Sequence, residues 1–234
     1  SFCPPRVRGT APPGSMAFAA PPPRWRLKPP LRLLLISPRP EGEEELTRQA
    51  TAVQTGLAAL KTAGQITYQT LTPPTWAALE EALYRETFDI IHFDGHGSFA
   101  RECPACQTPH YPSQTSCTYC TADMSHAMPQ SYLHFEKDKG ELDRVKLSEM
   151  QTVLADSGAQ LVFLSACGSG VTHGVSVFNG IAPALIRIGI PAVVAMQASP
   201  PDGSSTLFVQ RFYDALAKGT DWDDVAAAVG NGRR

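Results

Sequence analysis

The chain has 234 residues, 43% of them hydrophobic and 18% charged, and its 20 basic and 22 acidic side chains leave a formal net charge of −2. A charge this near zero gives no ground for a nucleic-acid partner or a membrane surface, and no apolar run is long enough to span a bilayer. No basic region followed by an apolar core marks secretion, so a reducing cytoplasm is favoured, and about 200 residues of mixed pattern suffice to bury one core.

Residues 1–30 are rich in Pro, Arg and Ala, as in Pro21-Pro22-Pro23-Arg24-Trp25, and read as a linker or tail tethering the rest to an upstream region. From residue 31 the pattern alternates. Residues 31–37 read as a strand, 43–62 as a helix, 65–71 as a strand and 76–86 as a helix. A strand then runs into His96. After an insertion at 101–127, residues 131–135 read as an edge strand and 147–155 as a helix leading into the strand before Cys167. A helix at 178–188, a buried strand at 191–196, a helix at 206–217 and a last helical stretch at 222–229 follow. Strands alternating with helices imply a three-layer α/β sandwich on a mostly parallel sheet, here a single domain over 31–234 carrying the insertion.

Two segments carry chemistry. Asp89-Ile90-Ile91-His92-Phe93-Asp94-Gly95-His96-Gly97 and Leu161-Val162-Phe163-Leu164-Ser165-Ala166-Cys167-Gly168 each run from a buried-strand pattern into a small-residue turn with one reactive side chain. A thiol of ordinary pKa, about 8.5, is mostly protonated at neutral pH and needs a nearby imidazole to act as a nucleophile. In an open parallel sheet the carboxyl ends of neighbouring strands line one crevice, so His96 and Cys167 can face each other there. The amides of Gly97 and Cys167 are candidates for an oxyanion hole, and Gly97 and Gly168 leave room for a substrate backbone.

Each residue also has a structural reading. His92 has the strand parity of His96 and packs beneath the site; Ser165 has the parity of Cys167 and lines its inner wall. Asp94 either orients an imidazole or accepts loop hydrogen bonds. His173 is a second candidate base, and Cys3, in the Pro-rich tail, an incidental thiol.

The sequence resembles the CHAT-domain peptidases, relatives of caspases and separases. The resemblance rests on the His96-Gly97 pair, on Ser165-Ala166-Cys167-Gly168, and on Gly189-Ile190-Pro191-Ala192-Val193-Val194-Ala195-Met196-Gln197 with Asp202 downstream. It implies a caspase-like fold, a Cys167 nucleophile and His96 as base and leaving-group acid, acting on protein substrates. It also implies an effector domain of a larger prokaryotic defence or signalling protein, switched on by a sensor module or partner. Asp202 then lies where a separase-like relative carries a pocket carboxylate, which favours Lys or Arg before the scissile bond. Asp in a Pro-Asp-Gly turn is equally ordinary turn chemistry. The rival reading is a catalytically silent scaffold of the same fold that binds another protein.

The second strong signal is Cys103-Pro-Ala-Cys106 followed, after ten residues, by Cys117-Thr-Tyr-Cys120. Paired knuckles at this spacing place four thiolates around one tetrahedral ion, the ligand set of a structural zinc ribbon. Such a site is closed and stabilises a loop instead of activating water. His110 and His126 fit worse as ligands and read as exposed loop residues. With Arg101 nearly its only basic residue, the insertion offers little to a nucleic acid.

Overall fold

The computed structural model describes residues 16–18, 29–41, 47–166, 178–196 and 204–218. Its main sheet contains β1 (Met16–Phe18), β2 (Leu31–Ile36), β3 (Ile66–Thr70), β4 (Ile90–Gly95), β9 (Leu161–Ala166) and β10 (Ala192–Met196), in the order β1-β10-β9-β4-β2-β3. All neighbours are parallel except β1, which pairs antiparallel to β10 with Ala17 opposite Val193. The Pro-rich stretch therefore contributes an edge strand. Consecutive parallel strands need crossovers, and these are supplied by the helices α1 (Thr47–Thr62), α2 (Trp76–Arg85), α3 (Leu147–Ala155) and α4 (Phe178–Arg187); α5 (Ser204–Lys218) follows β10.

The pleat sorts side chains to two faces. Leu31, Leu33, Leu35, Ile90, Leu161 and Phe163 pack on one face with Leu57 of α1 and Val209, Phe212 and Tyr213 of α5. Leu34, Ile36, Ile91, Phe93, Val162 and Leu164 pack on the other with Leu79 of α2, Met150 and Leu154 of α3, and Ile181 and Leu185 of α4. Strands buried on both sides are what the near-continuous apolar runs require. The result is the expected three-layer, caspase-like α/β sandwich with a mostly parallel central sheet.

A second sheet was not expected. It comprises β5 (Gly97–Glu102), β6 (Pro109–His110), β7 (Gln130–Glu136) and β8 (Leu142–Lys146), all antiparallel, in the order β6-β5-β7-β8. The segment read as an edge strand at 131–135 is thus β7, interior to this small sheet. Leu133 and Phe135 point from it into the main core, Phe135 lying 5.4 Å from Phe93 ring to ring. The last pair of the β5–β7 ladder is Ala100 with Gln130, and the cysteine-rich segment emerges from there.

Candidate functional site

The two signature segments become adjacent strands. β4 and β9 pair in parallel from Ile90 opposite Leu161 to Gly95 opposite Ala166, with Asp94 beside Ser165. The next residues along the two strands are His96 and Cys167. Cys167 lies outside the described residues, as do Gly168, His173, Asp202, Cys3 and the helical stretch expected at 222–229.

Gly95 is fixed by sterics. A Cβ there would sit 2.8 Å from Phe93 Cζ and 3.3 Å from Pro38 Cδ. The Phe93 ring is fully buried and cannot give way cheaply, so Gly95→Ala is expected to cost about 1–3 kcal/mol as an overpacked site. Thermal unfolding checks this, and an unchanged midpoint would contradict it.

His96 is 7% exposed, and its carbonyl accepts a hydrogen bond from the His134 amide at 3.0 Å. It therefore begins the small sheet while ending the large one. Antiparallel ladders alternate, so a bonded His96–His134 pair turns the backbone of Gly97, opposite Leu133, toward the edge of β5 away from β7.

Asp94 is fully buried, and the structure commits it to an arginine. Arg39 Nη2 lies 2.6 Å from Asp94 Oδ2, while Arg39 Nη1 donates to the carbonyls of Asp94 and Pro38, each at 2.6 Å. The Arg39 amide donates to a Glu136 carboxylate oxygen at 2.5 Å, joining the main sheet to β7. Burial pushes the Asp94 carboxyl above its ordinary range, opposed by Arg39 and by the neighbouring His96. Sequence reading missed Arg39. The available signal was an arginine just past β2, whose Ile36 registers against Phe93 one residue before Asp94.

His92 packs beneath the site as its parity required. It is 0% exposed, its Nδ1 lies 2.8 Å from the Tyr213 hydroxyl, and its ring stacks on Phe163 at 4.5 Å. Burial alone lowers its pKa from 6.5 to about 3, so it is neutral at every ordinary pH. Ser165 is buried at the end of β9 between Asp94 and Met196. His134, also missed, places Nε2 2.9 Å from Ser98 Oγ.

The four cysteines converge: the Sγ atoms of Cys103, Cys106, Cys117 and Cys120 all lie within 4.8 Å of one another. A tetrahedral ion with metal–sulfur bonds of about 2.3 Å needs sulfurs about 3.8 Å apart. The Cys103–Cys120 and Cys106–Cys117 separations are both 3.5 Å, so the donor set fits such an ion.

The two knuckles repeat one backbone design. The first cysteine of each donates its amide five residues on, Cys103 to the Thr108 carbonyl and Cys117 to that of Ala122. Each also accepts at its carbonyl from the residue four on, Gln107 or Thr121, and these two residues have φ of 59° and 60°. The Tyr119 and Cys120 amides donate to Cys117 Sγ at 3.4 Å.

His110 is not the exposed loop residue expected: it is 7% exposed, with Nε2 3.2 Å from Cys117 Sγ. Its pairing in β6 with Arg101 turns it inward, where a ring N–H can support a ligand sulfur from outside the first ligand set. His126 is exposed as read. Arg101 closes the insertion from its base, donating to the carbonyls of Pro112, Met124, Ser125 and Ala127 at 2.6–3.3 Å. The guanidinium is thereby occupied by the protein's own backbone.

No helix among the described residues is long and apolar enough to cross a membrane. A family model described as CHAT domain matches residues 13–230. No curated protein matches the chain.

Proposed function

From the premise that the chain belongs to the CHAT domain family, a caspase-like, peptidase-related group, we propose that it is a cysteine endopeptidase acting through Cys167 and His96. One observation carries the reading. β4 and β9 are immediate parallel neighbours in register to Gly95 and Ala166, one residue short of His96 and Cys167. Neighbouring strands lie about 4.8 Å apart, a separation an imidazole and a thiol reach across.

In this reading His96 takes the Cys167 proton, and the thiolate attacks the scissile carbonyl carbon. The amides of Gly97 and Cys167 hold the oxyanion, and the outward turn of Gly97 supports that role. The carbon–nitrogen bond breaks as His96 returns the proton to the leaving amine, leaving a thioester. Water, deprotonated by His96, then hydrolyses it. Arg39, through Asp94, braces the turn from below.

Asp202 is proposed as the carboxylate that selects Lys or Arg before the scissile bond, and the substrate as a protein. The four cysteines are proposed to hold a structural Zn2+, which ties the insertion together and takes no part in the reaction. Regulation by a sensor module or bound partner, in a prokaryotic defence or signalling protein of the cytoplasm, is the context that family membership supports. A membrane or nucleic-acid role is not proposed for this domain.

Alkylation by iodoacetamide at pH 6, read on the Cys167 peptide by mass spectrometry, tests the pair. An imidazole-paired thiolate is expected to react about tenfold or more faster than an ordinary thiol, an advantage lost in His96→Ala. Ordinary kinetics in the unaltered chain would favour the silent scaffold.

A further inference from the structure

We infer that the cleft between β5 and the cysteine-rich insertion binds the substrate residues that follow the scissile bond and prefers an acidic side chain among them. The inference rests on the peptidase reading and deepens it.

Cross-strand partners share a face. His96 opposes His134, Ser98 opposes Tyr132, and His134 opposes Arg144, whereas Leu133, Phe135 and Phe99 belong to the main core. His96, Ser98, His134 and Arg144 therefore lie on the face away from that core, and the 2.9 Å contact of Ser98 with His134 agrees. Over this face the insertion folds back to enclose a cleft of about 410 Å³. The cleft is lined by Ser98, His134 and Arg144 from the sheet and by Tyr111, Gln114 and Tyr119 from the insertion.

Two features point to an extended peptide. Among the described residues β6 covers the outer edge of β5 only at Arg101 and Glu102, so the Gly97 carbonyl and the Phe99 backbone turn toward an edge on which another strand can add. Tyr111 and Tyr119, 58% and 78% exposed, flank the opening as rigid aromatic surfaces suited to peptide contact.

Chemistry sets the direction. The group protonated by His96 is the leaving amine, so the residues after the scissile bond depart on the His96 side, along β5 into the cleft. Charge sets the preference. Among the described residues, Arg144 is the one fully charged side chain lining the cleft and no carboxylate lines it, which favours a Glu or Asp over a Lys there.

The test uses two fluorescein-labelled decapeptides differing only in Glu or Lys at alternate positions, and the whole chain carrying Cys167→Ser. The Glu peptide is expected to bind about fivefold more tightly than the Lys peptide, the size of a surface charge attraction to Arg144 in the one and a repulsion in the other, and Arg144→Glu to reverse the order. Arg144 is exposed, so that exchange spares the fold. Equal binding, or a preference unmoved by Arg144→Glu, would overturn the inference whatever becomes of the peptidase reading. A parallel digest of a peptide library by the unaltered chain separates the two. Cuts enriched in Asp or Glu after the scissile bond support both; cuts with a flat profile there overturn the inference and keep the peptidase. Arg144-dependent binding with no cuts keeps the acidic-peptide cleft and overturns the peptidase.

Discussion

Treatment with a strong chelator is expected to strip the proposed zinc and unfold the insertion while leaving the parallel sheet intact. The insertion has almost no core of its own: its buried cluster is Cys103, Cys117 and Met124, with Ala122 and Ala127 packed against it. Two of those three residues belong to the four-cysteine set proposed to hold the zinc. A four-thiolate zinc site contributes about 10 kcal/mol or more to the folding of so small a unit, far more than its few apolar contacts. Arg101 and the β6 pairing then have little left to hold.

Within the set, Cys117→Ser is expected to be especially damaging, because Cys117 Sγ receives two backbone amides and faces His110 Nε2. Elemental analysis should find one zinc per unaltered chain and none in Cys117→Ser. Limited proteolysis after chelation should cut between residues 103 and 127 and spare the main sheet. A chain that binds no metal, or a digestion pattern indifferent to chelator, would contradict the assignment.

Acid is expected to destabilise the whole domain through His92. Its folded pKa, about 3, lies below the ordinary 6.5, so between those values the unfolded chain binds a proton that the folded one refuses. Stability therefore falls as pH drops from about 6.5 toward about 3, by about 1.4 kcal/mol per unit and about 5 kcal/mol in all, and this contribution changes no further below that. His92→Gln keeps a partner for the Tyr213 hydroxyl and cannot charge. Its absolute stability reflects the loss of stacking on Phe163, but its slope against pH should be shallower by about one proton. Parallel denaturation curves for the two proteins between pH 4 and 6.5 would contradict this account.

What the sequence showed follows from where apolar pattern governs the backbone. Leu161–Ala166, Ala192–Met196 and Leu147–Ala155 were legible because strands buried on both faces leave continuous apolar runs, and because an amphipathic helix keeps its period. The small sheet was not. Gly97-Ser-Phe-Ala-Arg-Glu has no β-branched residue, and Leu142-Asp-Arg-Val-Lys carries three charges, so both strands form through tertiary pairing with β7 against their local preference. Missing β5 turned β7 into an apparent edge.

The site divided the same way. Cysteine spacing is local and revealed the four-cysteine cluster, and the apolar runs that lead to His96 and Cys167 were legible as strands, which pair as neighbours. Arg39, just past β2, was passed over because its link to Asp94 joins two strands far apart in sequence. His110 was misjudged because its burial comes from pairing with Arg101 across the insertion, which no periodicity announces.

The central claim is that Cys167 and His96 cleave peptide bonds. The direct measurement incubates the unaltered chain, Cys167→Ala and His96→Ala with a mixed peptide library and reads new termini by mass spectrometry. The account predicts cuts after Lys or Arg by the unaltered chain and none above background from either variant. Cuts that persist in Cys167→Ala, or a library left whole by the unaltered chain, would contradict it.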